Sequence, residues 1–536
     1  MIVWIRKSDN PGRDIWEAIR QKPANEPLEL RFEPGDYFFR PEMAFMRDIY
    51  ITNATTVPVG EPPTRQIGIL IENAEDVTLT GDCTTLWFDG RMSEIVIQHC
   101  KRITIQGFTL NFVHPSVFEF DVVKRNMLWV DIRPVEACEY TVERGRMTLP
   151  FDFIPGQTIM QERDAQRGVT RRISAMSRRR GSVFSPQLSA KRLPNGCIRV
   201  YLPFSAFRKG LRYQLSNPFR DGVGTLIDRS EEVTLRNNSV RYMHGLGITA
   251  QLSKDVSIHD CDFLPDGARG ITTCAAADMI HACMCTGLVE VHRCRFEGAR
   301  DDVINVHGVH FGVMRVADNE IVVAFRQNET KGFLAFDAGD EIEFVDPATL
   351  AKVGEARVIE AKLLNVLHTR LKLDRSINPH MRRLAIENIT KNCDVMIDDI
   401  TCRHIPTRGV LLSTRGKCVI RNSRFHDLPM ANVMIADDAR GWYESGRVKD
   451  VLIEHNYFER CGMYTIDVFP ETRGRVRTPV HQNIRVVNNE IILSGERLAR
   501  VKDTDGFVFL RNCIKGHKKR KVKIRLINCR NYKIER

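Results

Sequence analysis

Short runs in which β-branched residues alternate with polar ones recur along most of the chain, each opened by a polar turn and closed by a polar break. Glu75-Asp76-Val77-Thr78-Leu79-Thr80-Gly81 is the first clear example, followed by Lys101-Arg102-Ile103-Thr104-Ile105. Glu231–Arg236, Lys254–His259, Gly287–His292, Asn392–Ile397, Gly416–Arg421, Val448–Ile453 and Gln482–Val486 repeat the phrase. From Val77 to Ile103 is 26 residues, from Val233 to Val256 is 23, and from Val395 to Val419 is 24. Steps of 32 and 33 follow, from Val419 to Val451 and on to Ile484, as coils with an extra loop would give. A period of about 20 to 30 residues with strands and no helical periodicity predicts one coil of a parallel β-helix per repeat. A leucine-rich repeat would need a regular Leu pattern and an asparagine ladder, neither of which is visible in the sequence. A propeller would need hairpins in blades of about 40 residues.

Two segments break the rhythm. Met127–Ile132 and Ile198–Leu202 in one, and Ile321–Phe325 and Gly339–Phe344 in the other, are strands separated by turn residues, which predicts antiparallel pairing. The resulting expectation is an all-β protein, a right-handed parallel β-helix with two inserted small β-barrel domains. Its divisions would be 1–116 for the first coils, 117–222 for the first barrel and 223–310 for the central coils. The second barrel would occupy 311–385 and the last coils 386–536. Asp14-Ile15-Trp16-Glu17 predicts a capping box that opens a short helix through Ile19, which would plug the N-terminal end.

Composition changes this picture little. Of 536 residues, 43% are hydrophobic, an ordinary share for a folded protein. The net charge of +12 favours an anionic partner such as an acidic or sulfated glycan, or else a solvated basic surface. The basic runs Arg171-Arg172 with Arg178-Arg179-Arg180, and His517-Lys518-Lys519-Arg520-Lys521, lack aromatic interleaving or any helix-turn-helix signature, so no nucleic-acid partner is expected. No apolar run of about 18 residues is present, so no membrane insertion is expected. The opening Met-Ile-Val-Trp-Ile-Arg-Lys lacks the apolar stretch of a signal peptide, and fifteen scattered cysteines favour free thiols in a reducing, cytoplasmic compartment. Cys274, His281, Cys283, Cys285, His292 and Cys294 are not spaced as a zinc finger and are expected to be core residues; no metal or cofactor is called for.

The candidate chemistry lies at Ala299-Arg300-Asp301-Asp302-Val303-Ile304-Asn305-Val306-His307-Gly308. Adjacent carboxylates repel and lose hydration when buried, so a fold has little reason to place them where coils stack unless a substrate or water uses them. The competing reading is a solvated turn whose Asp side chains cap backbone groups. Asp278 precedes Asp302 by 24 residues, close to one coil, which would set the two on neighbouring rungs, near each other along the axis and offset sideways. Two carboxyls flanking a scissile bond are what glycoside hydrolysis requires.

Several stretches resemble the α-1,3-galactosidase family, glycoside hydrolase family 110. They are Phe32–Tyr37 with Tyr50-Ile51-Thr52-Asn53, Phe88-Asp89-Gly90-Arg91-Met92, Ala276-Ala277-Asp278, Arg300–Gly308 and Asp437–Gly446. The resemblance implies a β-helix with two barrels, and metal-independent, inverting, exo-acting removal of terminal α-1,3-linked galactose. It implies Asp278 as general acid, with Asp301 and Asp302 holding and activating water. Trp442 would face the C–H side of the sugar, Glu444 and Asp437 would accept from its hydroxyls, and Asn305, His307 and Arg91 would donate. The implied partner is a galactose-terminated oligosaccharide or polysaccharide, with a homodimer left open. The family's members are commonly exported, a departure from the cytoplasmic expectation. The alternatives are another β-helix polysaccharide hydrolase, a polysaccharide lyase, or a non-catalytic glycan-binding β-helix.

Overall fold

The computed structural model describes residues 1–149, 159–173, 188–202, 205, 207–216, 220–495, 497–516 and 522–535. The Arg178-Arg179-Arg180 and His517–Lys521 runs lie outside the described residues, whereas Arg171 and Arg172 lie within them.

The repeated phrases are parallel strands stacked coil upon coil. In one ladder Val77 pairs with Ile103, Ile103 with Val233, Val233 with Val256, Val256 with Val289 and Val289 with Val395. Every one of these side chains points into the coil and is buried, and such burial is worth about 1.5–3 kcal/mol per aliphatic side chain. The 26- and 23-residue steps are thus true coil lengths. The next step is not: Val395 pairs with Cys418 rather than Val419, and Cys418 with Val451. The small Cys418 thiol takes the inward position and Val419 the opposite face, because a one-residue slip exchanges the faces of a strand.

The strands of this ladder open with a left-handed kink at a polar second residue, as at Asp76, Arg102, Glu232 and Asp255. The asparagine ladder not visible in the sequence is present in the last coils. Asn489 Oδ1 accepts from the Asn456 backbone at 2.9 Å, and Asn512 Oδ1 from the Asn489 backbone at 2.9 Å. These buried amides satisfy turn N–H groups that would otherwise be orphaned.

The N-terminal helix spans Pro11–Arg20 and starts earlier than the expected capping box. Asn10 is its N-cap, accepting from Arg13 N at 3.1 Å, and Pro11 supplies the preset backbone of the first turn. Ile15 and Ile19 are buried from this helix into the first coils.

Both interruptions are antiparallel. The first forms, among the described residues, a nine-stranded sheet with its own core of Phe118, Phe120, Val130, Ile198 and Tyr213. In the second, strands Ile304–Ala317, Glu320–Ala324, His368–Leu373, Lys352–Leu363, Glu341–Val345 and Ala385–Asn388 pair in that order, and the last returns to the first, closing a six-stranded barrel. Strand Ile304–Ala317 begins as a rung of the helix and ends in this barrel, so the barrel is fastened directly beside the central coils.

Candidate active site

A second parallel ladder carries the candidate chemistry. Ile280 of strand Ile280–Cys283 pairs with Ile304, and Ile304 with Val410 of strand Val410–Ser413. Asp278, Asp302 and Arg408 each stand two residues before these partners, so they occupy one equivalent position on three successive rungs. The Asp302 N–H donates to Asp278 Oδ1 at 3.2 Å and the Arg408 N–H to Asp302 Oδ1 at 3.2 Å, which ties the stack together. The 24-residue spacing therefore means direct stacking, without the sideways offset that a mismatched coil length would produce.

One oxygen from each of Asp278, Asp301 and Asp302 lies within 4.8 Å of the others, and all three residues are buried. Their surroundings differ. Asp301 Oδ2 is paired with Arg172 at 2.7 Å and with Arg220, while its Oδ1 is buried with no protein partner. Asp302 is held bidentately by Arg408, with Nε and Nη2 each 2.8 Å from an oxygen. Asp278 has no guanidinium partner and instead meets His281 Nδ1 at 2.9 Å.

Burial pushes the Asp278 carboxyl up, and the neighbouring Asp301 charge adds to it, to about 7. Burial raises Asp301 as well, but Arg172, Arg220 and Arg408 outweigh it and hold that carboxyl below its usual range. Asp302 is pushed up by burial to about 7 against the pull of Arg408. The bidentate contact nevertheless favours the carboxylate on Asp302, because charge-assisted forked pairs are among the strongest hydrogen bonds. The site thus holds Asp301 as a guanidinium-bound carboxylate beside two raised carboxyls, of which Asp302 is forked by Arg408 and Asp278 has no guanidinium to favour its charged form. Three oxygens so close could also grip a cation, but three guanidiniums already face them and supply the compensating charge.

The trio opens into a pocket of about 260 Å³, lined also by Asn305, Leu411, Glu329, Trp442 and Glu444. That volume is below the range typical of drug-sized ligands and suits a single sugar ring. Trp442 is 53% exposed and offers an open aromatic face. Glu444 enters on a two-residue strand paired antiparallel to Gly308 and Val309. A Cβ at Gly308 would lie 2.6 Å from Ser445 Oγ and 3.2 Å from the Ser445 carbonyl, so glycine lets the two strands cross without moving Ser445. Asn53 Nδ2 donates to Glu444 Oε1 at 3.1 Å and Asn305 Nδ2 to the same oxygen at 3.4 Å.

Of the residues singled out in the sequence, Asp278, Asp301, Asp302, Asn305, Trp442 and Glu444 line this pocket. The structure does not bring Arg91, Asp437 or His307 to it. Arg91 is half-exposed and pairs with Asp221 at 3.5 Å, bracing the segment that carries Arg220. Asp437 is buried 2.8 Å from His310 Nε2, close to the charges with which Arg415 and Arg447 grip Glu343 of the second barrel. His307 sits behind the wall, its Nε2 2.9 Å from His281 Nε2.

Sequence reasoning missed Arg172, Arg220, Arg408 and Glu329. Arg172 belongs to a basic run read as a surface feature, yet it reaches from the first insertion onto Asp301. Arg408 could not be found by counting coils, because the second barrel separates it from Asp302 by 106 residues. The cysteine-rich segment forms no ligand cluster among the described residues. Cys274, Cys283, Cys285 and Cys294 are buried thiols, and Cys285 Sγ donates to Ala250 O.

Comparison with known proteins agrees with this architecture. Residues 320–383 match the model of the GLAA-B beta-barrel domain II, which falls on the closed barrel. Alpha-1,3-galactosidase A of Bacteroides thetaiotaomicron is 30% identical over 98% of this chain and 94% of its own length. This chain belongs to the α-1,3-galactosidase family, glycoside hydrolase family 110. Another member, alpha-1,3-galactosidase A of Akkermansia muciniphila, is 29% identical over 89% of this chain and 79% of its own length. Alpha-1,3-galactosidase B of Bacteroides thetaiotaomicron is 27% identical over 93% and 82%. Family membership thus extends over the coils and both insertions, and not only over the matched barrel.

Proposed function

We propose that this protein is an exo-acting glycoside hydrolase that removes a terminal α-1,3-linked galactose from a glycan. One observation carries the assignment of roles: Asp278 alone among the three clustered carboxyls lacks a guanidinium. It therefore retains a proton near neutral pH and donates it to the glycosidic oxygen as the C1–O bond breaks. Asp301 is the base, since its free buried oxygen can accept from a water held jointly with Asp302. Two water hydrogen bonds of ~2.8 Å at a tetrahedral angle span about 4.5 Å, compatible with carboxylate oxygens that lie within 4.8 Å of one another. The attacking water loses its proton to Asp301, its oxygen bonds to C1, and the leaving aglycone takes the proton from Asp278. Trp442 supports the apolar face of the ring, and Glu444 and Asn305 meet its hydroxyls. A pocket that holds one ring and is walled by Arg220, Arg408 and Glu444 supports cleavage at a chain end.

The stereochemistry is proposed as inverting, in keeping with the family resemblance. The nearest oxygens of the trio lie closer than the about 6.5–9.5 Å between the carboxyls of most inverting pairs, so the anomer first released is the decisive readout. Incubation with linear and branched Galα1-3Gal oligosaccharides, followed by NMR of the first-formed galactose anomer, tests both levels. β-Galactose supports inversion, α-galactose overturns it, and an absence of galactose overturns the activity. A polysaccharide lyase would instead give an unsaturated uronide.

A further inference from the structure

Outside the sugar pocket the second barrel and the Asp437–Gly446 segment enclose a groove of about 570 Å³. Its lining contains Arg326, Arg382, Arg383 and Arg440 and no Asp or Glu. All four arginines are exposed, and none makes an ion pair among the described residues; the side-chain contact of Arg326 is to Met314 Sδ. Elsewhere this chain pairs its arginines freely, as with Arg415 to Glu343 and Glu387 or Arg212 to Asp121. Four guanidiniums without an ion pair on one concavity repel one another and leave its potential positive. Arg383 also stands at φ +91°, a backbone conformation that costs about 1–3 kcal/mol for a side-chain-bearing residue and persists where surroundings or function demand it.

The position of the groove identifies what it would meet. Arg440 lines the groove and Trp442 the sugar pocket, and two residues of chain span at most about 7 Å. Arg326 and Glu329 bridge the same two cavities from the barrel side, three residues apart. A glycan whose terminal galactose occupies the pocket thus has the arginine groove within reach of its next sugars. Resting on the galactosidase reading above, we propose that this groove is an aglycone subsite for an oxyanion-bearing sugar, a sulfate ester or a uronate. Guanidinium forks match both groups bidentately, whereas a neutral aglycone leaves all four charges unanswered.

The test compares Galα1-3Gal with the same disaccharide sulfated on its reducing sugar, and with Gal α1-3-linked to galacturonate. At low salt the wild type is expected to cleave at least one anionic substrate with kcat/KM about tenfold above the neutral one, an advantage that shrinks at 0.3 M salt as screening sets in. The Arg326→Gln/Arg382→Gln/Arg440→Gln variant is expected to lose that advantage through KM while keeping neutral turnover within about twofold. Which anion gains separates sulfate from carboxylate. Calorimetric titration of both proteins with a sulfated galactose oligosaccharide reads the groove independently of turnover. Equal kcat/KM on neutral and anionic substrates, or anion binding unchanged in the variant, overturns the subsite. Anion binding lost in the variant together with no galactose released from any substrate supports the groove but sinks the galactosidase reading.

Discussion

His307 Nε2 stands 2.9 Å from His281 Nε2, and this contact fixes the proton count behind Asp278. The carbonyl of Gly308 can only accept, so His307 Nδ1, at 2.6 Å, donates to it. One proton must then lie between the two imidazoles and one more between His281 Nδ1 and Asp278 Oδ2, which are 2.9 Å apart. Every arrangement that makes all three bonds carries one proton more than neutral rings and a carboxylate would. Burial drives His281 well below its ordinary range, so that proton rests on Asp278 Oδ2, bonded to His281 in the resting site, and must leave that bond to reach the glycosidic oxygen.

Replacing His281 with Ala should therefore cost acid catalysis rather than binding. The expected loss is about 10²–10³ in kcat on a natural disaccharide, with KM little changed. A nitrophenyl galactoside, whose leaving group needs little protonation, should lose much less. A parallel loss on both substrates would mean that His281 merely supports the wall. Asp278→Asn should show the same split between substrates in sharper form.

The raised Asp278 carboxyl also links pH to stability. A carboxyl whose folded pKa lies above its unfolded value contributes stability that is complete below the unfolded pKa and lost as pH rises through the folded one. For Asp278 that window runs from about 4 to about 7. Asp278→Asn removes the buried charge, so at pH 8 its melting temperature should exceed that of the wild type by ~2–4 °C, with the difference vanishing near pH 4. Thermal scans at the two pH values measure it. A mutant less stable at pH 8 would place the proton elsewhere.

Asp437 and Trp442 should behave as opposites, although the sequence offered both as sugar contacts. Asp437 is buried against His310, and removing one partner of a buried pair costs about 3–5 kcal/mol. Asp437→Ala should lower the melting temperature and leave the KM of the folded fraction unchanged. Trp442→Ala should leave stability intact and raise KM about tenfold, equivalent to the 1–2 kcal/mol lost with an aromatic platform. Denaturation curves alongside initial rates separate the two effects.

What the sequence revealed and what it hid follow from one physical distinction. Strand rungs repeat locally, so alternation exposed Val77, Ile103, Val233 and Val256 as one inward row, and a spacing of one coil set Asp278 beneath Asp302. Contacts made across insertions leave no period. Arg172 comes from the first insertion, and Arg408 follows the second, so neither could be placed by counting. Asn53 lay inside a stretch that carried the family resemblance, but only the fold brings it to Glu444, 391 residues away. The slip at Cys418 was hidden because a thiol and a valine fill an inward position about equally well.

Arg172 permits a separate test of the base. With Arg220 it holds Asp301 in the ionised form against a burial cost that would otherwise raise its pKa. Removing one guanidinium weakens that hold, so the Asp301 pKa must rise. A base works only when ionised, so the acid limb of the kcat/KM profile should move to higher pH in Arg172→Ala, while the alkaline limb set by Asp278 moves less. The bell narrows from its acid side, and activity at pH 5 should fall more steeply than at pH 7. Arg172→Lys keeps the charge that meets Asp301 Oδ2 through one contact, and should restore most of the acid limb. An unchanged acid limb in Arg172→Ala would show that Asp301 does not take the water proton, leaving Asp302 as the base.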